Sequence, residues 1–573
     1  ISDGTADRES QARLYQLLAE NKLNAGKVED AEKLHQQAEA LVREGPADSQ
    51  LRIRVLLRTG RLAEAKKQLE KLAESEQQDP VHTPRAHRET QLLLSIIYAM
   101  QGDAQKAYRS ALEGIQRGEE FNSPFVTAVG HMRLGHALML LSETKEYAQS
   151  REQFEKAIEI SRTLAIPRLR VEAYWGLCRT YGYQDNLIEA RKVAQEGIEL
   201  ANLAGDEWNA SLARLTMGAN LTLAELYEEA ADWLGQAVRG FRECSDPFGT
   251  NAARLWLCLG WYRQNDMERL SQTLPDLLAT CRQHTYDYLF TRPTLLGLPN
   301  ERLAVPLLIL AREHGWEGTY PKNLLSALGL GEIKSHPGYQ LRVHTLGAFQ
   351  AWRGEQEIPH NGWRREKTRQ LFQILLTYRQ NPLNRDQLCE YLWPGMDPET
   401  SQRNFKVALN TLYNVLEPHR KPGSESTYIG REGTSYTLRP AADLWLDAAQ
   451  FVQKIHQAEK NLSQNPQQAM TLMTVALGLY QGEYLPNARY ETWAAAEREQ
   501  LSVLYLRTAD QYCELSLKEN KLEETIELCQ QILSYDNCWE RAYRYLMLAY
   551  DKLGDHGQVA RTYQRCLDTL NNE

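Results

Sequence analysis

The chain has 573 residues and carries 66 Lys and Arg against 75 Asp and Glu, a net charge of −9. This length predicts three or four domains, and an acidic charge spread evenly along them would argue against a nucleic-acid partner. The nine cysteines include no CxxC pair, which excludes a disulfide framework or zinc site and indicates buried thiols in a reducing compartment. The longest apolar run, residues 303–311, is too short to span a membrane.

These features predict a cytoplasmic protein with no membrane partner, no metal site and no cofactor. The chain starts at Ile1 and not at methionine, which indicates part of a longer protein. The 13 histidines show no ligand spacing, and no HExxH, GxSxG or glycine-rich phosphate cradle occurs. We therefore expect that the protein is not an enzyme.

Residues 1–282 predict an array of helix pairs. Three amphipathic segments open on glycine turns, at Gly26, Gly60 and Gly102. Ala31 and Ala65 lie 34 residues apart, the period of tetratricopeptide repeats, which these units resemble. Such repeats stack around a continuous core and leave a concave surface. That surface is expected to bind an unknown protein or small-molecule effector, and the alternative is a spacer.

The aromatic side chains of the later repeats, Trp175 and Trp208 among them, have helical spacing and are predicted to be core residues. Residues 283–338 are rich in proline and predict a connector of short helices ending in a linker. Residues 441–573 return to the helical-repeat pattern, with Lys518 and Lys552 again 34 residues apart.

Residues 339–440 differ from both arrays because they carry a local excess of positive charge, fourteen Lys and Arg against ten Asp and Glu. Their order is two strands in LRVHTLGAFQAW, a short strand after them, three helices and a strand pair. The strand pair is predicted at residues 428–429 and 435–438, with Arg431 and Gly433 in its turn. This order predicts a winged helix, whose wing reaches the minor groove or the backbone of DNA.

The helices of this segment have recognisable starts. Asn384 is a predicted N-cap with Gln387 three residues later, the pattern of a capping box. Asp397 is the predicted N-cap of the third helix, with Pro398 in its first turn. An apolar stripe is predicted on the first helix, at Leu371, Phe372, Leu375 and Leu376.

The third helix separates into two faces. Its apolar face is predicted to pack on the first two helices and comprises Phe405, Ala408, Leu409, Leu412 and Leu416. Its opposite face is predicted to read DNA bases and comprises Arg403, Lys406, Val407, Asn410 and Asn414. Arg or Lys can address guanine in the major groove, and Asn can address adenine. A solvated helix face would show the same pattern.

Phosphate contacts are expected from basic residues at the helix starts, Arg364, Arg365, Lys367 and Arg385. The N-terminus of the third helix and the hydroxyl of Ser401 are expected to add further phosphate contacts.

The segments GWRREKTRQLFQILL and LCEYLWPGMDPETSQRNFKVALNTLYNVLEP and the wing are similar to the OmpR-type winged helix of the SARP class of bacterial transcription regulators. The segments LYQGEYLP and YETWAAAEREQLSVLYLRTADQYCELSL resemble the bacterial transcriptional activator domain that follows it in that class. The resemblance covers residues 339–571 and implies binding to repeated promoter half-sites and recruitment of RNA polymerase.

The resemblance implies the same five base-reading residues, and it adds Arg431 and Tyr436 to the DNA-backbone contacts. Basic residues are sparser on the recognition helix than the class usually shows, which favours a dimer on DNA. Large members of the class carry a STAND-type NTPase, but no GxxxxGK[ST] phosphate loop occurs in this chain. Any nucleotide switch is therefore missing or lies outside the chain.

Together these patterns predict a mainly α fold: a tetratricopeptide-like α-solenoid, a central α+β winged helix, and a C-terminal tetratricopeptide-like helical domain. The predicted function is a sequence-specific transcriptional activator that binds double-stranded DNA. The alternative is a helical-repeat scaffold whose winged helix mediates protein contacts.

Overall fold

The computed structural model describes residues 8–41, 49–77, 89–141, 147–420, 423–440, 442–462 and 465–572. The chain divides into two compact units, residues 1–332 and residues 333–573. Helices make up most of both units, so the predicted mainly α fold class is confirmed. Within the described ranges, no helix combines the length and the apolar character needed to cross a bilayer.

The first unit consists of helices. In chain order they are α1 (Arg8–Asn24), α2 (Val28–Leu41), α3 (Ser49–Arg58), α4 (Leu62–Gln77), α5 (Thr90–Met100), α6 (Ala104–Glu120), α7 (Pro124–Leu141), α8 (Ala148–Thr163), α9 (Arg170–Tyr183), α10 (Leu187–Leu203), α11 (Glu207–Leu223), α12 (Tyr227–Glu243), α13 (Pro247–Gln264), α14 (Met267–His284), α15 (Tyr288–Thr291), α16 (Val305–Glu313) and α17 (Tyr320–Ala327). From α1 to α14, helices that follow one another in sequence mostly pack together, as in stacked helical repeats.

Tight turns join these helices. The three predicted glycine turns are confirmed, because Gly26, Gly60 and Gly102 all have positive φ, between 70° and 76°. The small residues predicted at close helix contacts are buried as expected, and Ala31 and Ala65 are both 0% exposed. The repeat period therefore reflects short left-handed turns and small residues at the helix contacts.

The first and last parts of this unit contact each other. The Tyr286 hydroxyl donates to the carbonyl of Gly60 at 2.8 Å, and the Leu295 N–H donates to the Ala99 carbonyl at 2.9 Å. At Gly102 an added Cβ would lie 2.5 Å from the Pro293 carbonyl oxygen, so the close approach requires glycine. These contacts hold the early repeats against residues about two hundred positions later in the chain.

A buried histidine lies in the middle of the unit. His136 is 0% exposed and stacks on Trp175, with ring centroids 4.1 Å apart. Its Nε2 lies 3.4 Å from Glu172 Oε1. Burial lowers the pKa of His136 to about 4, although the Glu172 carboxylate opposes that shift. The imidazole is therefore neutral in the folded protein near neutral pH.

This burial predicts an acid sensitivity of the first unit. Between pH 6.5, the ordinary pKa of histidine, and pH 4, the unfolded chain binds more protons at this position than the folded chain. The free energy of unfolding should therefore fall as the pH drops through this window, by about 3 kcal/mol at most. We expect His136→Phe to remove that part of the pH dependence. Urea unfolding of both proteins at pH 7, 5.5 and 4.5 checks this, and parallel pH profiles for the two would contradict it.

The second unit combines two small sheets with helices. In chain order its elements are β1 (Leu341–His344), β2 (Gln350–Arg353), β3 (Gln356–Glu357), a 3-10 helix (His360–Trp363), α18 (Glu366–Thr377), β4 (Leu383–Asn384), α19 (Arg385–Leu392), α20 (Pro398–Leu416), β5 (Ile429–Glu432), β6 (Ser435–Leu438), β7 (Leu444–Leu446), α21 (Asp447–Asn461), α22 (Pro466–Leu479), α23 (Thr492–Lys518), α24 (Leu522–Tyr535), α25 (Glu540–Lys552) and α26 (His556–Asn572).

The strands form two sheets. The first has the order β3-β2-β1-β7, and the second has the order β4-β6-β5. The predicted strands β1, β2, β3, β5 and β6 are all present, whereas β4 and β7 were not predicted. Strand β7 pairs parallel with β1, and Val343 faces Leu446 in the register. Because β1 and β7 are about a hundred residues apart in sequence, no local sequence pattern predicts that they pair.

One buried carboxylate fastens the first sheet to the C-terminal helices. Asp447, at the start of α21, is 1% exposed. Its oxygens accept hydrogen bonds from the Thr345 N–H and hydroxyl, both at 2.7 Å, and from the Leu346 N–H at 2.8 Å. A single apolar core runs from Leu341 to Ala549. The elements before and after residue 440 therefore share one hydrophobic interior.

The C-terminal helices repeat the packing of the first unit. Helix α21 packs on α22, α23 on α24, and α25 on α26. Lys518 ends α23, and Lys552, 34 residues later, ends α25. The predicted repeat spacing therefore corresponds to equivalent positions in two successive helix pairs.

Candidate functional site

The three helices α18, α19 and α20 begin where the sequence predicts. Asn384 and Gln387 form a complete capping box: the Gln387 N–H donates to Asn384 Oδ1 at 2.8 Å, and the Asn384 N–H donates to Gln387 Oε1 at 3.0 Å. Asp397 caps α20 by accepting from the Thr400 N–H at 3.0 Å. Local capping chemistry therefore fixes where α19 and α20 start.

Helix α20 has one buried and one exposed face. The predicted apolar face is confirmed, since each of its members is at most 7% exposed: Phe405, Ala408, Leu409, Leu412 and Leu416. This face packs on α18 and α19. The predicted base-reading residues are all exposed, namely Arg403, Lys406, Val407, Asn410 and Asn414. With 3.6 residues per turn, these five positions fall within an arc of about 100°. Helix α20 therefore presents one narrow polar stripe outward.

The β5–β6 hairpin lies beside the start of α19. The Arg385 N–H donates to the carbonyl of Thr434, in the hairpin turn, at 2.9 Å. Gly433, in the same turn, has a φ of 60°, which glycine tolerates. The Gln402 side chain donates to Asp386 Oδ1 at 3.5 Å, which links the first turns of α20 to α19. The hairpin turn, the start of α19 and the start of α20 therefore lie close together.

The predicted backbone-contact residues have different surroundings. Arg364 and Arg365 are exposed immediately before α18. Lys367 is half-buried, and its Nζ donates to Gln370 Oε1 at 2.8 Å. Arg385 is half-buried, with Nε 3.6 Å from Asp386 Oδ1. Arg431 is exposed, and its Nε donates to the Gly433 carbonyl at 3.1 Å. Lys367, Arg385 and Arg431 therefore already have partners among the described residues.

Two residues predicted as backbone contacts are buried, and those predictions are corrected. Ser401 is 5% exposed and its hydroxyl donates to the Pro398 carbonyl at 3.0 Å, because it lies on the same side of α20 as Phe405. Tyr436 is also 5% exposed, and its ring meets that of Phe405 edge-on at 5.1 Å. Both side chains therefore pack on the buried side of α20 and are not exposed as predicted.

The first turn of α20 is also less suited to anions than its position implies. Asp397 and Glu399 place two exposed carboxyl groups there. Hydrogen bonds from Thr400 lower the pKa of Asp397, which keeps its carboxylate charged. The cap also occupies one of the free N–H groups that a phosphate would use. These charges disfavour the phosphate contact expected at this helix N-terminus, which stays a prediction.

The start of α18 has an unusual backbone conformation. Arg364 has a φ of 60° and a ψ of −38°, an unusual conformation for a residue other than glycine. Its N–H donates to the Asn361 carbonyl at 3.1 Å. This turn directs the chain from the 3-10 helix into α18, and no sequence signal predicts it.

In the described part of the chain, no three His, Cys, Asp or Glu side chains are grouped to hold a metal ion.

Residues 446–573 match the family model described as the bacterial transcriptional activator domain. This match confirms the domain that the resemblance to the SARP class predicts at this end of the chain. No curated protein matches the chain.

Three solved structures are similar to parts of the chain. The first is EmbR of Mycobacterium tuberculosis in complex with a low-affinity phosphopeptide, 17% identical over 41% of this chain and 61% of EmbR, with a TM-score of 0.35. The second is a Rap protein complexed with competence and sporulation factor, 13% identical over 56% of this chain and 94% of that protein, with a TM-score of 0.38. The third is a signal transduction ATPase with a tetratricopeptide-repeat sensor from Pyrococcus horikoshii, 14% identical over 56% and 47%, with a TM-score of 0.31. At these scores none of them defines the function of this chain.

Proposed function

We propose, from the premise that residues 446–573 are similar to the bacterial transcriptional activator domain, that this chain is a sequence-specific, DNA-binding transcriptional activator. The observation that carries the proposal is the outward stripe of α20. Arg403, Lys406, Asn410 and Asn414 share it, and they are residue types that recognise guanine and adenine edges. An α-helix with such a stripe fits the major groove of DNA.

The surrounding elements support an OmpR-type winged helix at residues 339–440. A sheet precedes three helices, the third of which carries the stripe, and a strand hairpin follows it. In this proposal the β5–β6 hairpin is the wing, and its exposed Arg431 contacts the DNA backbone. Arg364 and Arg365 supply further backbone contacts, and Lys367 and Arg385 join them by exchanging their present partners for phosphate.

Charge suggests which part of α20 approaches the bases. The carboxylates of Asp397 and Glu399 repel phosphates at the first turn. The stripe from Arg403 onward holds no acidic side chain. We therefore expect α20 to enter the groove through its middle and C-terminal part, centred on Lys406 and Asn410.

The finer features of the function also remain proposals. We propose that the activator domain recruits RNA polymerase, that two protomers bind adjacent half-sites, and that the protein works in the cytoplasm. The repeats of the first unit are proposed to sense a protein or small-molecule effector.

Selection of genomic DNA fragments by the full chain tests the main proposal. The unmodified protein should enrich fragments that share a repeated half-site, and an Arg403→Ala/Lys406→Ala variant should lose that enrichment. Failure of both proteins to retain any DNA at low salt would contradict the proposal. It would favour the alternative of a repeat scaffold whose winged helix contacts proteins.

Asn410→Ala tests the assignment of base reading. Loss of a contact to a base edge should cost about 1–3 kcal/mol at one position of the half-site and leave the other positions unchanged. Asn404→Ala is the matched control, because Asn404 lies on the same helix but is half-buried against Met396. Affinities for half-site variants, measured by fluorescence anisotropy, give the result. Unchanged sequence preference in Asn410→Ala would place this residue outside the interface.

A further inference from the structure

The first unit contains a partly open cavity of about 280 Å³. Alternate helices line it: α3, α5, α7, α9 and α11. These are the first helices of five successive pairs, and in stacked helix pairs such helices form one side of the array. Most of the lining is apolar, with Ile96 and Val129 as examples. Since a cavity of roughly 150 Å³ holds benzene, this one can hold a molecule of about ten non-hydrogen atoms.

The arginine side chains that line the cavity are already paired with carboxylates of the protein. Three arginines face the cavity, and each has a carboxylate partner. Both oxygens of Asp206 accept from Arg58, at 3.1 and 3.0 Å. Glu172 accepts from Arg133. The third pair is Arg54 and Glu20, whose charged atoms lie 3.6 Å apart. A charged ligand would therefore bring an uncompensated charge into a partly enclosed apolar space, which is unfavourable.

Two hydrogen-bond donors of the lining lack an acceptor within the described residues. Trp175 lines the cavity and is 1% exposed, and its indole N–H has no partner. The buried Nε of Arg133 has none either. Two other buried tryptophans of the unit are satisfied: Trp208 donates to Asp246 at 2.9 Å and Trp256 to the Leu296 carbonyl at 3.1 Å. Because buried donors are normally paired, an acceptor inside the cavity would satisfy the Trp175 indole N–H and the Arg133 Nε–H.

We propose that this cavity binds a small neutral molecule with an apolar body and a carbonyl oxygen that accepts from the Trp175 N–H. The apolar helices α5 and α7 surround the body, and the Arg133 Nε is the second donor to the carbonyl. The inference builds on the proposed sensing role of the first unit, but the binding itself requires no DNA. Failure of ligand binding would leave the DNA-binding proposal standing, and the reverse also holds.

Three matched probes test the ligand chemistry on the full chain. Phenylacetamide is neutral and carries a carbonyl, phenylacetate carries a negative charge, and ethylbenzene has no acceptor. We expect saturable binding of phenylacetamide in ligand-observed NMR titrations. Ethylbenzene should bind without using the Trp175 N–H, since it has no acceptor, and phenylacetate should bind more weakly than phenylacetamide because its charge is buried without a partner. Tighter binding of phenylacetate, or no saturable binding of phenylacetamide, would overturn the proposal.

Two variants locate the site. Trp175→Phe keeps an aromatic ring on His136 but removes the N–H, so it should weaken phenylacetamide binding about threefold to tenfold and leave ethylbenzene unchanged. Val129→Phe should fill the cavity and weaken both. Trp256→Phe is the matched control, because it removes an indole N–H that is already bonded to Leu296. Equal loss of phenylacetamide binding in the Trp175 and Trp256 variants, or no loss in Trp175→Phe and Val129→Phe, would overturn the assignment.

Discussion

The Arg403→Ala/Lys406→Ala variant should bind the selected DNA about a hundredfold more weakly than the unmodified chain. Both side chains are exposed on the outward stripe of α20. Each is expected to contact a base edge or a phosphate, and contacts of this kind contribute about 1–3 kcal/mol. Fluorescence anisotropy titrations at several salt concentrations measure the effect.

A matched control separates this effect from net charge. Lys518→Ala/Lys521→Ala also removes two positive charges, from side chains that are 66% and 41% exposed on the C-terminal helices. That variant should change the affinity only slightly, through the weakened long-range attraction. Equal losses in the two double variants would mean that the stripe contributes only charge, and the proposed base reading would then be wrong.

Asp447→Ala should lower the free energy of unfolding of the second unit by about 3–4 kcal/mol. The substitution removes the acceptor of the three hydrogen bonds from Thr345 and Leu346 and leaves the N–H groups of these two residues buried without that partner. It also removes the side-chain link between the segment after β1 and the start of α21. Urea unfolding of the full chain, combined with hydrogen exchange of β1 and α21, assigns the loss to this unit.

Asp386→Ala is the control for this experiment. Asp386 lies in the same unit, but its side chain is 76% exposed. Its removal should therefore change the free energy of unfolding only slightly. In both variants, hydrogen exchange could increase only in α19, the helix that contains Asp386. Exchange of β1 and α21 would then be unchanged in Asp447→Ala, which would show that Asp447 does not connect the sheet to α21. DNA affinity of Asp447→Ala, measured where the protein remains folded, should stay close to that of the unmodified chain.

Local patterns predicted most of the helices near the candidate site. The starts of α19 and α20 follow from Asn384 and Asp397, because capping depends only on residues three positions apart. The two faces of α20 follow from helical spacing. The exposure of its outward residues was predictable for the same reason, whereas their role on DNA stays a prediction.

Ser401 and Tyr436 were expected to be exposed because their side chains are polar, but both are buried. Ser401 precedes Phe405 by four residues, so helical spacing already places its hydroxyl toward the core. Tyr436 shares its side of β6 with the buried Leu438, because alternate residues of a strand point the same way. Both burials could have been found from spacing alone.

Contacts between distant segments could not be predicted in this way. Arg58 and Asp206 are 148 residues apart, and no repeat pattern pairs them. The parallel pairing of β1 with β7 and the Asp447 contacts span about a hundred residues. The cavity of the first unit depends on five helices and on a tryptophan whose spacing resembles that of any core residue. Such features become visible only when the helices are assembled.

The shared strand pairing of the second unit limits how evolution can recombine it. Leu341 faces Leu444 across the β1–β7 ladder, and the interior continues into the helices that follow. A gene fusion that replaced the segment before residue 440 would separate β1 from its partner strand β7. It would also expose part of the shared hydrophobic core to water. Viable chimeras should therefore exchange residues 333–573 as a single unit, so that residues 339–440 are inherited together with the C-terminal helices on which they pack.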